Sequence, residues 1–489
     1  MLEGSGTRKL GGRDPLRAFQ RFLGWSLVAL FVSLFPSRAH AYAWMIKHGY
    51  QTCPVCHADP SGGELLTQYG RVQSDELLRM RYGKSADESA RTPQLKAPRL
   101  VRNLELKTDA ASGADDDAKA ADGKADGDTA DKADADKPEG DAAPAAASEE
   151  AAPASAPTES NSESSPGDFL WGLVKTPDWL LLGGSYRHLA IIRPGLPTKK
   201  FETFPMMADV YGQVSIGSFR VEASVGVVRV GVGSPYARAA QITTNQGDQW
   251  NLLSRTHWIG YDFDDGAVTL RAGHMNLPFG VRIPEHTMWV RQSTRTDRES
   301  AQQDGVALAY NGEKLRGELM AIAGNYQITP DKYRERGYSL YAEYLVGEKQ
   351  AVGVSSLVTK AGKDRITLDP NPLRQVHGAF VRAAFLTDFV LLAEADALFT
   401  SDHDPGYVGF AQLDWEFTRG LHLIGTAEVQ DKGYDKLVGG PKSFGNGKHQ
   451  LGGWGTLDWF CLPHVEVRAD VYSRQNDDFT ILGQLHVFL

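Results

Sequence analysis

From Asp178 to the last residue, apolar and polar side chains alternate along the chain with a period of two. In one segment the apolar face holds Phe219, Val221, Ala223, Val225 and Val227, and the polar face holds Arg220, Glu222 and Ser224. This alternation predicts β-strands with one apolar and one polar face. A soluble β-sandwich shows the same alternation, so the pattern alone leaves the class of fold open.

The connections between the predicted strands decide the fold class. We count about sixteen strands, whose connections alternate between short turns and long loops, as in outer-membrane barrels. The short turns lie at 216–218, 264–266, 311–313, 347–349, 386–388, 418–420 and 462–463, and the long loops at 193–202, 232–250, 277–303, 325–336, 361–375, 401–405, 431–447 and 474–478. We therefore predict an all-β fold over 167–489, a transmembrane antiparallel β-barrel of about 16 strands in outer-membrane lipid. An even number of strands places both ends of the barrel on the periplasmic side.

Charged residues of both signs fall on the face that points into the predicted barrel. They are Arg220, Arg229, Arg271, Arg316, Arg382, Arg468, Glu222, Glu318, Glu394, Asp396, Glu428, Glu466 and Asp470. We interpret them as side chains that line a lumen and pair across strands. They do not predict a strong preference for anions or cations.

The N-terminus has the features of a secretory signal peptide at 1–41. A basic start precedes the apolar run Phe22 to Phe35, and Ala39-His40-Ala41 is a small-x-small cleavage site before Tyr42. The alternative is an uncleaved membrane helix, but an apolar run of about 14 residues is short of the ~20 needed to span a bilayer.

A change of composition separates the N-terminal module, 42–103, from the barrel. Residues 104–166 are rich in Ala, Asp, Gly, Pro and Ser and almost without large apolar side chains, a composition that predicts a disordered acidic linker. A flexible linker of ~60 residues spans about 40–45 Å, so the chain tethers the module without fixing its position.

Overall charge and cysteine content exclude two classes of protein. The formal net charge is −9 and there is no basic face or tail, which argues against nucleic acid as a partner. Three cysteines in 489 residues do not make a disulfide scaffold. One of them, Cys461, lies at a predicted rim turn and is interpreted as structural.

The other two cysteines form the motif Cys53-Pro54-Val55-Cys56-His57. Thiols at this spacing can form thioethers with the two vinyl groups of one haem, and the adjacent histidine can then bind the iron. A redox dithiol would need a thioredoxin-like surround, and a zinc site would need a second ligand pair. The motif therefore favours one covalent haem c held by Cys53, Cys56 and His57.

The sixth iron ligand is less well defined by the sequence. Met80 is the candidate we take forward because it lies downstream, in a helix-like run, with His48 and Met45 as alternatives. A module of about sixty residues is near the lower limit for an independent core. We expect a small α-helical module that needs the haem or the barrel wall to bury its apolar side chains.

A signal peptide, this haem motif, the segment Pro60-Ser61-Gly62-Gly63-Glu64-Leu65-Leu66-Thr67-Gln68-Tyr69-Gly70-Arg71 and a barrel together resemble the fused cytochrome–porins of outer membranes. The resemblance implies extracellular electron transfer, including oxidation of a donor such as Fe(II). It implies haem attachment by Cys53 and Cys56 and iron binding by His57. It also implies a periplasmic electron carrier and an extracellular donor or acceptor as partners, with the module periplasmic or in the lumen.

Three hypotheses follow for the function. The first is an electron conduit whose barrel shelters the haem, an electron carrier rather than an enzyme that turns over a substrate. The second is a solute-conducting porin with a tethered periplasmic cytochrome. The third is a porin without haem, in which the cysteine pair is structural.

Overall fold

The computed structural model describes residues 53–60, 62–77, 169–170, 173–194, 201–229, 250–283, 285, 287–347, 349–386, 388–433, 449–475 and 479–489. The predicted signal peptide and linker lie outside the described residues, as do the candidate ligands Met45, His48 and Met80. Of the predicted N-terminal module, 42–103, the structure describes the part that carries the haem motif.

That part contains two short helices and a small hairpin. Helix α1 is Cys53–Cys56, strands β1 and β2 are His57–Asp59 and Gly63–Leu66, and helix α2 is Gln68–Leu77. One further helix, α3, is Trp289–Thr294. No helix in the described ranges is both long and apolar enough to cross a membrane.

The remaining strands belong to one sheet. They are β3 Leu180–Ile192, β4 Phe201–Ile216, β5 Phe219–Arg229, β6 Trp250–Leu253, β7 His257–Phe263, β8 Val268–Met275, β9 Gln303–Asn311, β10 Leu315–Gly324, β11 Arg336–Gly347, β12 Gln350–Lys360, β13 Leu373–Phe385, β14 Phe389–Thr400, β15 Gly406–Thr418, β16 Leu421–Asp431, β17 Gln450–Leu462, β18 Val465–Arg474 and β19 Thr480–Phe488.

These strands close into an antiparallel barrel. Consecutive strands pair in chain order, and β19 pairs with β3 from Ile481↔Ile192 to Phe488↔Ser185. Strands β6 and β7 both pair with β5, at Gly226↔Leu253 and Phe219↔Tyr261, so they act as one interrupted strand. Counted in this way, the barrel has sixteen strands, as the alternation of turns and loops predicts.

The predicted difference between the two rims is confirmed. Strands β4 and β5 are joined by Gly217 and Ser218 alone, and Gly217 takes a left-handed φ of 61° that suits a tight turn. At the opposite rim, the 27 residues from Asn276 to Gln302 separate β8 from β9. The chain enters β3 and leaves β19 at the rim of short turns, which we call the turn rim; the other is the loop rim.

The outer surface of the wall is apolar. Side chains exposed there include Val210, Val225, Ile259, Leu319, Val354, Leu423, Leu457 and Leu485. Ten of the predicted lumen residues are buried, with Arg271 0% and Glu222 3% exposed. Arg220 and Glu466 are half-buried, and the Arg229 side chain lies outside the described residues. Arg271 pairs with Glu318, Arg382 with Glu343, and Arg468 with Asp470. A wall that is apolar outside and ionic inside is a porin-like barrel of the outer-membrane type.

Val225→Arg tests which side of the wall faces lipid. Val225 lies in the middle of β5 and is 54% exposed, and an arginine at the bilayer midplane costs about 2–4 kcal/mol. We expect less heat-modifiable, folded protein in outer-membrane fractions on unheated gels. Val225→Leu is the matched control and should assemble normally. If Val225→Arg gives as much folded protein as the wild type, the Val225 side chain does not face lipid.

Candidate functional site

The segment 53–77 lies inside the barrel, in the half near the turn rim. Arg220 on β5 donates to the Ala58 carbonyl at 2.9 Å, and Arg298 from the long β8–β9 loop donates to the Gly62 carbonyl at 2.5 Å. In the other direction, Arg71 of α2 donates to the Leu182 carbonyl on β3. The segment that carries the haem motif is thus held by two strands of the wall and by the β8–β9 loop.

A buried ion pair fixes the hairpin of the segment to the wall. Arg271 on β8 is fully buried and bridges Asp59 at the end of β1 and Glu318 on β10. Removing one member of such a group leaves an uncompensated buried charge, which costs about 3–5 kcal/mol. The pair therefore specifies one docked position for the segment.

Apolar contacts cover a second face of the segment. Ala58 and Leu65 are 2% and 1% exposed and form a cluster with Tyr211 on β4 and the partly buried Leu181 on β3. Burying side chains of this kind contributes about 25 cal/mol per Å² of apolar surface. The barrel wall supplies the core that a module of this size lacks.

Two glycines let the motif fold back on itself. At Gly70 an added Cβ would lie 2.2 Å from the Cys56 carbonyl oxygen, and at Gly62, where φ is 75°, it would lie 2.9 Å from Cys53 Sγ. Thr67 caps helix α2 by accepting the Gly70 N–H at 3.0 Å. Gly62 and Gly70 thus allow the backbone to pack closely around the two cysteines.

The three residues of the haem motif present a dithiol and an oriented imidazole. Cys53 and Cys56 are free thiols, and burial raises the pKa of Cys56 to about 12. His57 Nδ1 donates to the Gly63 carbonyl at 3.1 Å, which leaves Nε2 as the nitrogen able to bind a metal. Burial, together with nearby Arg298, lowers the pKa of His57 to about 4, so the ring is neutral at pH 7.

A cavity of about 380 Å³ adjoins these residues inside the lumen. Cys53, Cys56 and His57 lie in its wall, which continues along β3, β4 and β17 to β19. Its other lining includes Met207, Val281, Ile283, Arg298, Trp454, Phe460 and Arg468. This volume is within the ~300–1,000 Å³ of small-molecule and cofactor sites.

The β8–β9 loop, 276–302, lines the cavity from the loop-rim side, and we call it the plug loop. Its apolar residues Val281, Ile283, Trp289 and Val290 are buried inside the barrel. The Trp289 N–H donates to Glu428 on β16 at 2.9 Å, which ties the start of α3 to the wall. The sequence predicts an extended external loop here, and the structure shows one that folds inward.

The C-terminal part of the plug loop is held at the loop rim by a cluster of charged side chains. Arg295 pairs with Glu335 and Asp364, each at 2.8 Å, and Arg374 pairs with Glu335 at 2.5 Å. Although burial would raise the pKa of Glu335, Arg374 and Arg295 hold that pKa well below its usual range. The cluster is therefore ionised at neutral pH.

The structure thus brings together Cys53, Cys56 and His57 as the motif predicts, and it adds residues that the sequence analysis missed. Arg220, Arg271 and Arg298 contact the segment, and Met207 is the thioether among the described cavity-lining residues. No local sequence signal identifies these contacts, because they join positions far apart in the chain. Cys461 lies at the turn rim, its Sγ 3.8 Å from the Val465 carbonyl.

Comparison with known proteins shows fold similarity alone. The chain is similar to a loop L8 deletion mutant of OmpT, an outer membrane protein of Vibrio cholerae, with 11% identity over 63% of this chain and 99% of that one, at a TM-score of 0.46. It is similar to the outer membrane channel DcaP of Acinetobacter baumannii, with 14% identity over 63% and 97%, TM-score 0.46. Salmonella typhi OmpF in complex with daunomycin gives 10% identity over 63% and 97%, TM-score 0.43. No family model matches the chain, and neither does any curated protein.

Proposed function

We propose that this porin-like barrel is an electron-transfer protein of the outer membrane, with one haem c attached to Cys53 and Cys56 and bound through its iron by His57. The observation that carries the proposal is that all three residues lie in the wall of one cavity inside the lumen. An open porin with a freely tethered cytochrome does not require that arrangement.

The residues present fit a haem c. Both thiols are free, and the imidazole is neutral and oriented by the Gly63 carbonyl through its Nδ1–H. The cavity offers apolar surface from Val281, Ile283 and Phe460, and arginines that include Arg298 and Arg468 for carboxylate groups. Met207 lines the same cavity. It joins Met80, His48 and Met45 as a candidate for the sixth ligand.

When bound, a haem c supplies one-electron oxidation and reduction at its iron. The chain's own residues do the rest. Cys53 and Cys56 fix the position of the group, and His57 tunes the iron through its bond to the Gly63 carbonyl. The plug loop and the docked segment restrict water in this part of the lumen, which lowers the local dielectric.

The docked position favours a conduit over a tethered carrier. The segment contacts the wall near the turn rim, where a periplasmic electron carrier would meet it. The cavity also reaches Ile191 and Arg193 at the loop-rim end of β3, toward an external donor or acceptor. An external donor such as Fe(II) fits this direction.

The test is electron transfer across vesicles that contain the full mature chain. An acceptor is enclosed inside, and a reduced, membrane-impermeant donor is added outside. Transfer by the wild type should fall at least tenfold in His57→Ala, because the ring that binds the iron and tunes it is lost. The matched control is His188→Ala, a histidine on β3 that bonds Thr203 at 2.7 Å.

The alternative function is solute conduction. The closed sixteen-stranded barrel with its charged lining is the framework of a channel. Rapid passage of small solutes through the same vesicles, with no electron transfer by the wild type, would establish the porin and overturn the conduit.

A further inference from the structure

We infer that the outer face of the barrel carries a binding site for one divalent first-row transition-metal ion, formed by His257, His274 and Asp304. The three residues lie on the neighbouring strands β7, β8 and β9, at the loop rim. The register places them directly opposite one another, His257↔His274 and His274↔Asp304. Side chains opposite each other in an antiparallel sheet lie on the same face, so all three converge.

The geometry of the three side chains suits a shared ion. One ligand atom from each lies within 4.8 Å of the others. The rings of His257 and His274 stack with centroids 5.0 Å apart, and His274 Nδ1 is 3.3 Å from an Asp304 carboxylate oxygen. Bonds of about 2.0–2.2 Å to one ion place its ligands about 3–4 Å apart, so small side-chain rotations close the site.

Neighbouring groups already orient two of the three ligands. Ser254 Oγ is 2.9 Å from His257 Nδ1, which leaves Nε2 as the metal-binding nitrogen. The Tyr326 N–H donates to Asp304 Oδ2 at 2.8 Å, which leaves Oδ1 facing His274. Metal-binding histidines and carboxylates usually have outer partners of this kind.

The environment of the His274 side chain indicates that a ligand binds here. Its side chain is fully buried, yet Nε2 has no hydrogen-bond partner among the described residues. A buried polar nitrogen without a partner costs about 1–3 kcal/mol. A bound metal ion would satisfy it.

The ligand set defines the class of ion. Two imidazoles and one carboxylate suit Zn²⁺, Co²⁺, Fe²⁺, Ni²⁺ or Cu²⁺ and disfavour Ca²⁺ and Mg²⁺, which prefer oxygen ligands alone. His257 is solvent-accessible and provides a route of entry. With three protein ligands, the ion would keep an open position for water or an exogenous ligand.

The position of the site couples it to the plug loop. His274 lies two residues before that loop begins, and Asp304 lies two residues after it ends. One ion bound to both would join the two ends of the loop. This inference goes beyond the proposed electron transfer and does not depend on it.

The test is metal binding by the tag-free full chain in detergent, with Co²⁺ and Zn²⁺ as probes. All proteins carry Cys53→Ala and Cys56→Ala, so that a failure of haem attachment cannot create a second site. We expect one equivalent of Zn²⁺ in equilibrium dialysis and a Co²⁺ visible spectrum that Zn²⁺ abolishes by competition. Zn²⁺ should also slow amide exchange in the plug loop.

His257→Ala should weaken Zn²⁺ binding at least tenfold and remove the Co²⁺ spectrum, and because this residue is exposed the barrel should still assemble. His274→Gln should have the same effect. His188→Ala is the matched control and should bind as the parent does. Unchanged stoichiometry and affinity in His257→Ala, or the absence of any bound equivalent in the parent, would overturn the site.

Discussion

Replacing Cys53 and Cys56 with alanine is expected to remove all covalently bound haem from this protein. In the proposed attachment each cysteine supplies one thioether, and the chain's other cysteine, Cys461, lies at the turn rim in contact with the Val465 carbonyl. The wild type should keep its haem through denaturation and stain for peroxidase activity on a gel, whereas the double variant should not stain.

The physical reason for a complete effect is that, in the proposed attachment, the two thioethers are the covalent bonds between the haem and the chain. A single thioether in Cys53→Ala would leave some stain, so the double variant gives the sharpest result. The barrel should still assemble, since docking depends on Arg271, Arg220 and Arg298 rather than on the thiols.

Cys461→Ala is the matched control, since it removes a thiol outside the haem motif and should stain as the wild type does. The host must be competent in cytochrome c maturation. Colourless wild-type protein from that host would reject haem attachment and leave a porin with a structural cysteine pair.

Much of the barrel could be predicted because its signals are local. The alternation around Val225 and Glu222 follows from a pleated strand with lipid on one face and a polar lumen on the other. The turns at Gly217 and Gly420 follow from tight connections that need a left-handed residue. Each signal occupies a few consecutive residues and needs no knowledge of distant contacts.

The interior was harder to predict because it is built from distant pairs. Asp59 meets Arg271 across 212 positions, and a flexible linker predicts nothing about where the module docks. The plug loop does carry a local signal, since Val281, Ile283, Trp289 and Val290 are too apolar for a loop in water. The convergence of His257, His274 and Asp304 likewise required the register of three strands.

Deleting 42–103 while keeping the signal peptide is expected to turn a closed barrel into a conducting one. The docked segment contacts the wall inside the lumen near the turn rim, and the plug loop buries Val281, Ile283 and Trp289 in the part beyond it. A sixteen-stranded barrel without such an insert is wide enough for a water-filled channel. Conductance in planar bilayers should rise from near zero to the level of an open channel.

A point variant tests the loss of docking while residues 42–103 remain in the chain. Arg271→Ala leaves Asp59 and Glu318 buried without their shared cation, which costs about 3–5 kcal/mol of docking free energy. The segment should then leave the lumen part of the time, and the variant should show intermittent openings between the closed and open levels. Arg336→Ala, at an exposed ion pair with Asp331 outside the lumen, is the control and should stay closed. If the wild type conducts as well as the deletion, the segment does not block the lumen, and the barrel works as an open porin with the haem motif at its side.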